Sequence, residues 1–278
     1  MRFNLLGTGG VTPIPKPCCN CKLCQNARKS GLINYQTGPS FYVYDDNLLF
    51  DTPEEVRFQL NRENIEKVEN IILTHWHPDH TQGIRIIEQI NMNHIKHKPE
   101  DKPINVYISK KQLDMFKKYG AGNFLDFYEN KGLIKLLFLE NEKPIVFNNV
   151  TVIPVYIKRT EGYYFIIKDN KTGTKLVYAP CEYHELKVFD FVKDIDVFIS
   201  HCLYFENKEI GSGVDYSSTE DSFEKMLKDS KEMEAKKIII THTEEAFQLT
   251  MDELNDAAKK YYSDYNIKFV NDGYKFEV

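Results

Sequence analysis

No stretch of this sequence approaches the roughly 20 apolar residues of a membrane span, and its start, MRFNLLGTGG, carries no apolar run of signal-peptide length. The expected location is therefore the cytoplasm. An excess of basic charge is also missing. The formal net charge is −5 with lysines spread along the chain, so no basic face announces nucleic acid. Ser/Gly/Pro linkers and internal repeats are absent, which argues against several modules joined by tethers. With 42% hydrophobic and 28% charged residues, the chain also lacks the low-hydrophobicity signature of disorder. What remains is a globular chain long enough for a sizeable core, read as a single domain over residues 1–278.

Strand-like and helix-like segments alternate along it. FNLLGTGG is an apolar strand running into glycines, and SFYVYDDNLLFD reads as two strands around an Asp-Asp-Asn turn. PEEVRFQLNR opens as helix N-termini prefer, with Pro53 and two acids. ENIILTH is a buried strand that ends on His75, and later strands are expected in PINVYIS, NVTVIPVYI, YYFIIKD, KLVYAP, IDVFISH and KKIIITH. KKQLDMFKKYG and STEDSFEKMLKDSKEMEAKK have helical spacing, with Ser218 expected to cap the second and Asp221 to complete the box. Apolar strands interleaved with helices imply an α/β fold of sheet layers flanked by helices.

The densest chemistry lies in Thr74-His75-Trp76-His77-Pro78-Asp79-His80. Three imidazoles and a carboxylate form a ligand set for zinc, iron or manganese, and alternation after a strand sends His75 and His77 to one side. Asp79 and His80 are then available to a second metal. HWHPDH followed by TQG resembles the His-x-His-x-Asp-His motif of the metallo-β-lactamase superfamily. That resemblance implies a four-layer αββα sandwich with metals at the sheet edge, His75 and His77 on the first and Asp79 and His80 on the second. LLGTGGVTPIP, CNCKLCQNAR and GPSFYVYDDNLLFDTPEEVRFQL are similar to the opening of the branch that holds the cyclic phosphodiesterase of phosphonate degradation and pyrroloquinoline quinone biosynthesis protein B.

Four of the six cysteines crowd into Cys18, Cys19, Cys21 and Cys24, which in a reducing compartment suggests metal more than disulfides. The Cys-x-Cys-x-x-Cys spacing of Cys19, Cys21 and Cys24 lets three thiolates converge on one tetrahedral Zn²⁺. This is similar to the structural zinc of the phosphodiesterase branch, whose fourth ligand falls on Glu245 here. Cys18, His184 and His201 are the other donors open for that place.

Beyond the first motif, the resemblance implies three more active-site ligands. His242, ending KKIIITH, matches the final histidine and is expected on the second metal. KLVYAP should end on an aspartate that bridges both metals, but Cys181 stands there. Sulfur favours Zn²⁺ or Fe²⁺ and does not usually replace a bridging oxygen, so Asp79, Cys181 and His242 are expected to hold one zinc with an open position. The third histidine of the first metal is absent after NVTVIPVYI, leaving His184 or His201 as replacements; Lys158 and Arg159 stand in its place, able to grip an anion. Phosphodiesterase-type relatives place a catalytic histidine where this chain has Tyr216, which becomes the general-acid candidate.

The leading expectation is a metal-dependent hydrolase of a small phosphodiester, with Asp79 orienting water. Alternatives are redox or biosynthetic chemistry on iron, and a non-catalytic metal or anion-binding protein. The expected partner is an anionic small molecule, with nucleic acid and membrane disfavoured and a homodimer left open.

Overall fold

Two-residue alternation sets the architecture. In the strand Leu48–Phe50, Leu48 and Phe50 enter one core and Leu49 another; Ile239 likewise faces away from Ile238 and Ile240 in Ile238–Thr241. Strands apolar on both faces must be covered on both. A computed structural model, describing all residues except 120–121, 182–189, 212 and 219–220, shows how.

Two seven-stranded mixed sheets lie face to face. The first runs Tyr274–Glu277, Arg2–Gly7, Ser40–Val43, Leu48–Phe50, Asn70–Ile72, Ile104–Ile108 and Ile134–Phe138. The second runs Ile267–Phe269, Ile238–Thr241, Val197–His201, Lys175–Ala179, Gly162–Asp169, Val150–Ile157 and Ile145–Val146. Each sheet is parallel in one half and antiparallel in the other. Phe3, Phe41, Phe50, Phe165 and Tyr178 fill the space between the sheets. Val56, Ile87, Leu113 and Phe116 cover the outside of the first from helices Val56–Arg62, Ile86–Asn91 and Lys110–Lys118. Phe223, Met226 and Leu254 cover the outside of the second from Phe223–Glu232 and Met251–Tyr261. Three cores between four layers give the αββα sandwich expected from the sequence. Among the described residues no helix is long and apolar enough to cross a membrane.

One helix starts later than expected. Ser222, not Ser218, caps Phe223–Glu232 by accepting from Lys225 N at 3.0 Å, and Asp221 precedes the cap. The apolar face decides the start, because Phe223 is the first side chain to reach the core. Ser217 beside the expected cap is instead held by Asp215, which accepts from its backbone N–H at 2.8 Å.

The last strand turn fastens the edge of the first sheet to two loops. The Asp272 carboxylate accepts from Thr8 N at 2.8 Å, Thr37 Oγ1 at 2.5 Å and Arg62 Nη1 at 3.2 Å. Burial pushes its carboxyl up to about 6, against which the Thr37, Arg62 and Thr8 donors work, so it is ionised at neutral pH. Asp272→Ala leaves the buried Thr8 and Thr37 donors without their acceptor, while the partly buried Arg62 keeps Glu63, and should cost about 2–3 kcal/mol. Urea unfolding monitored by circular dichroism checks this; an unchanged midpoint would refute the role.

Candidate metal centre

The site forms at the carboxyl ends of the parallel strands, where open α/β sheets place ligands. Leu48–Phe50 ends at Asp51, Asn70–Ile72 runs on to Thr74 and His75, Lys175–Ala179 leads to Cys181, and Ile238–Thr241 ends at His242. Asp51, Thr74, His75, His80 and His242 are all buried.

Asp51 organises the centre, a role the sequence reading did not assign. Its backbone takes φ 61°, in the left-handed region, and its carboxylate accepts from Thr74 N and Thr74 Oγ1, both at 2.8 Å. His80 Nδ1 lies 2.7 Å from the same carboxylate. A carboxylate only accepts, so Nδ1 carries the proton and Nε2 keeps the lone pair. Thr74 Oγ1, already donating to Asp51, accepts from His75 Nδ1 at 3.0 Å. That leaves His75 Nε2 as a buried lone pair with no hydrogen-bond partner among the described residues. The available signal was LLFD, an acid closing a wholly apolar strand.

Asp79 Oδ2, His80 Nε2 and His242 Nε2 form a nearly equilateral triangle with separations of 3.4, 3.4 and 3.2 Å. Ligands about 2.0–2.2 Å from a tetrahedral metal stand about 3.3–3.6 Å apart, so this donor set fits a zinc-sized cation. The orphaned His75 Nε2 supports the same fit. Burial opposes charge on Asp79, but His80 and His242 outweigh it and hold the carboxyl well below the usual carboxylate range. Burial likewise lowers His242, yet the hydrogen bond and charge of Asp79 raise it above an ordinary imidazole. Burial and then His80 and His77 push His75 well down, so it stays neutral.

Cys181 forms a second group, with its ligand atom and those of His75 and His80 all within 4.8 Å of one another. The sequence had placed it with Asp79 and His242; the strand end delivers it on the His75 side instead. His77 lies with its ring 4.6 Å from that of His75 but joins neither group of three among the described residues. His201 is buried with its ring 5.8 Å from His242, beside the groups and outside them. His184 lies outside the described residues. Lys158 and Arg159 are exposed in the turn that leads to Gly162, and Tyr216 is partly buried before the helix Phe223–Glu232.

Glycine permits two close approaches here. A Cβ on Gly162 would stand 2.6 Å from His75 Cβ, and one on Gly10 would stand 2.8 Å from His242 Nδ1. GTGG is thus a backing for His242, which the sequence reading treated only as a strand end.

A separate thiol group lies in the N-terminal loop, where the Cys19, Cys21 and Cys24 sulfurs lie within 4.8 Å of one another. Backbone N–H groups of Cys21, Cys24 and Lys16 point at the sulfurs of Cys19, Cys21 and Cys24, at 3.5, 3.5 and 3.3 Å. Soft donors stabilised by N–H groups suit Zn²⁺. The Cys24 backbone donor pulls the Cys21 thiol down, while burial pushes Cys24 up to about 11. Glu245 does not join them: its carboxylate pairs with Lys16 Nζ at 2.8 Å, and that ammonium stands beside the thiols. Cys18 is exposed and also outside the group.

Two mixed sheets between helical layers, with a buried His/Asp cluster at the parallel strand ends, define a metallo-β-lactamase-type sandwich. Residues 46–243 match the family model of the beta-lactamase superfamily domain, and the chain belongs to that family. A diphosphatase of the PhnP family has a similar structure, with TM-score 0.73, 19% identity, and coverage of 100% of this chain and 97% of that one. Zn²⁺-bound PqqB from Methylobacterium extorquens also gives 0.73, at 14% identity with both chains covered in full. In sequence, the chain is 26% identical over 161 residues to an octanoyltransferase of Porphyromonas gingivalis, a match covering 56% of this chain and 30% of that protein.

Two outcomes are expected. Asp51→Asn should weaken active-centre metal affinity about 10–100-fold with the fold retained; titration with a chromophoric chelator measures it, and unchanged affinity refutes the relay. Because His242 is raised and a cation must displace its Nε2 proton, affinity should fall about tenfold per pH unit on acidification below that raised range. The same titration between about pH 6 and 9 tests the sign.

Proposed function

We propose that the protein is a metal-dependent hydrolase of a small phosphodiester. The observation that carries the reading is the buried triangle of Asp79, His80 and His242, a cation-sized donor set at the sheet edge. Family membership supports hydrolysis, since the superfamily consists mostly of metal-dependent hydrolases. Fold similarity along the whole chain to a diphosphatase supports phosphorus as the electrophile.

A metal bound here supplies Lewis acidity toward the electrophile and toward water. His75, His80 and His242 turn ring nitrogens toward the centre, and His77 borders it. Asp79, kept ionised, accepts a hydrogen bond from the attacking water and turns it toward phosphorus. Lys158 and Arg159, exposed beside the Gly162 turn, neutralise the anionic oxygens and orient the ester. Tyr216 serves as proton donor to the leaving alkoxide. Cys19, Cys21 and Cys24 of the thiol loop would hold Zn²⁺ as a structural ion.

One observation favours a second reading, in which the electrophile is an acyl carbonyl. The sequence relative is named an octanoyltransferase, and the match covers less than a third of it. The same constellation would then hydrolyse an acyl thioester or ester.

Purified protein assayed on cyclic and linear phosphodiesters, a dinucleoside diphosphate and an octanoyl thioester separates the readings. Phosphodiester turnover is expected, with His80→Ala reducing it at least about 10³-fold and Arg159→Ala acting mainly on KM. Turnover of the thioester alone would transfer the proposal to acyl hydrolysis. Undiminished activity in His80→Ala would sink both.

A further inference from the structure

The two ligand groups at the active centre share one residue. Asp79, His80 and His242 form one, and His75, His80 and Cys181 form the other. His80 has only one atom to give. Its Nδ1 lies 2.7 Å from the Asp51 carboxylate, which only accepts, so Nδ1 is taken up as the donor of that buried pair. Nε2 keeps a single in-plane lone pair, and an imidazole nitrogen in this state bonds one metal ion. Both groups therefore cannot be filled at once by separate ions with three protein ligands each.

Among the described residues the remaining donors do not relieve this limit, and His77 joins neither group. His75 has its own Nδ1 on Thr74 Oγ1, leaving Nε2 alone as donor. A carboxylate at position 181 would offer two oxygens, one for each of two ions; the thiol of Cys181 offers one sulfur in their place. Gly162 brings its hairpin against His75 Cβ and the Thr74 carbonyl, and the turn before it carries Lys158, Arg159 and Thr160, with no imidazole, thiol or carboxylate among those three.

We propose that the active centre is built for one metal ion bound through His80 Nε2. Asp79 and His242 approach that ion from one side, and His75 and Cys181 from the other. Cys181 thus completes or exchanges into the same coordination shell and founds no second site. The inference rests on the metal-binding reading above but not on the choice of substrate.

The test counts ions and needs no substrate. Crystals of the full chain equilibrated with excess Zn²⁺ and measured at the zinc absorption edge should give one anomalous peak within bonding distance of His80 Nε2. Two resolved peaks at the active centre, one on each group, would overturn the inference. Elemental analysis provides the second arm: wild type should carry one zinc equivalent more than His80→Ala, with circular dichroism and thiol-loop zinc confirming that the variant folds. No difference, or a difference of two equivalents, would also overturn it. If His80→Ala fails to fold, His80→Gln serves the same comparison. One ion without hydrolysis would refute the proposed function and leave this inference standing, and turnover with two ions would do the reverse.

Discussion

The Asp51 carboxylate is the constraint on which the active centre depends. A buried carboxylate is tolerable only when its oxygens are matched by donors, and here the donors come from Thr74 and His80. Meeting that requirement decides which nitrogen of His80 is protonated and, through Thr74 Oγ1, which nitrogen of His75 is protonated as well. One carboxylate thus sets two imidazole lone pairs facing the same space. The Thr74 carbonyl accepts from Gln112 Nε2 at 2.6 Å and from Tyr163 N at 2.9 Å. Gln112 belongs to the capping box of Lys110–Lys118, and Tyr163 belongs to the second sheet. The relay therefore joins both sheets and a helix at the residue preceding the first histidine.

Around this relay the chain departs from a symmetrical two-metal arrangement. Thiol replaces carboxylate at Cys181, and cationic side chains occupy the turn where a third histidine was expected. The donor geometry remains well formed on the Asp79, His80 and His242 side, where the separations match a single tetrahedral ion.

Much of the fold was legible in the sequence because its strands are apolar and its turns are polar. ENIILTH, IDVFISH and KKIIITH each became a parallel strand, the first and last with a candidate ligand at the carboxyl end. The candidate donors His75, Asp79 and His80 were legible because they are close in sequence and follow one strand. The grouping of distant residues was less so. Cys181 meets Asp79 and His242 only through the shared His80, and Glu245 pairs with Lys16 rather than with the thiols. The Ser218 cap failed for a related reason, since packing of Phe223 set the helix start and local capping chemistry followed it.

The sequence by itself determined the layered α/β class, the histidine and aspartate cluster from His75 to His80, and the thiol triplet Cys19, Cys21 and Cys24, since each is encoded within a short segment whose spacing survives any packing. Tertiary structure alone decided that Asp51 would command two histidines, that Gly10 and Gly162 would let backbone close against His242 and His75, and that His80 would be shared. These depend on where strands far apart in the chain end relative to one another. Sheet register sets that placement, and local spacing carries no record of it.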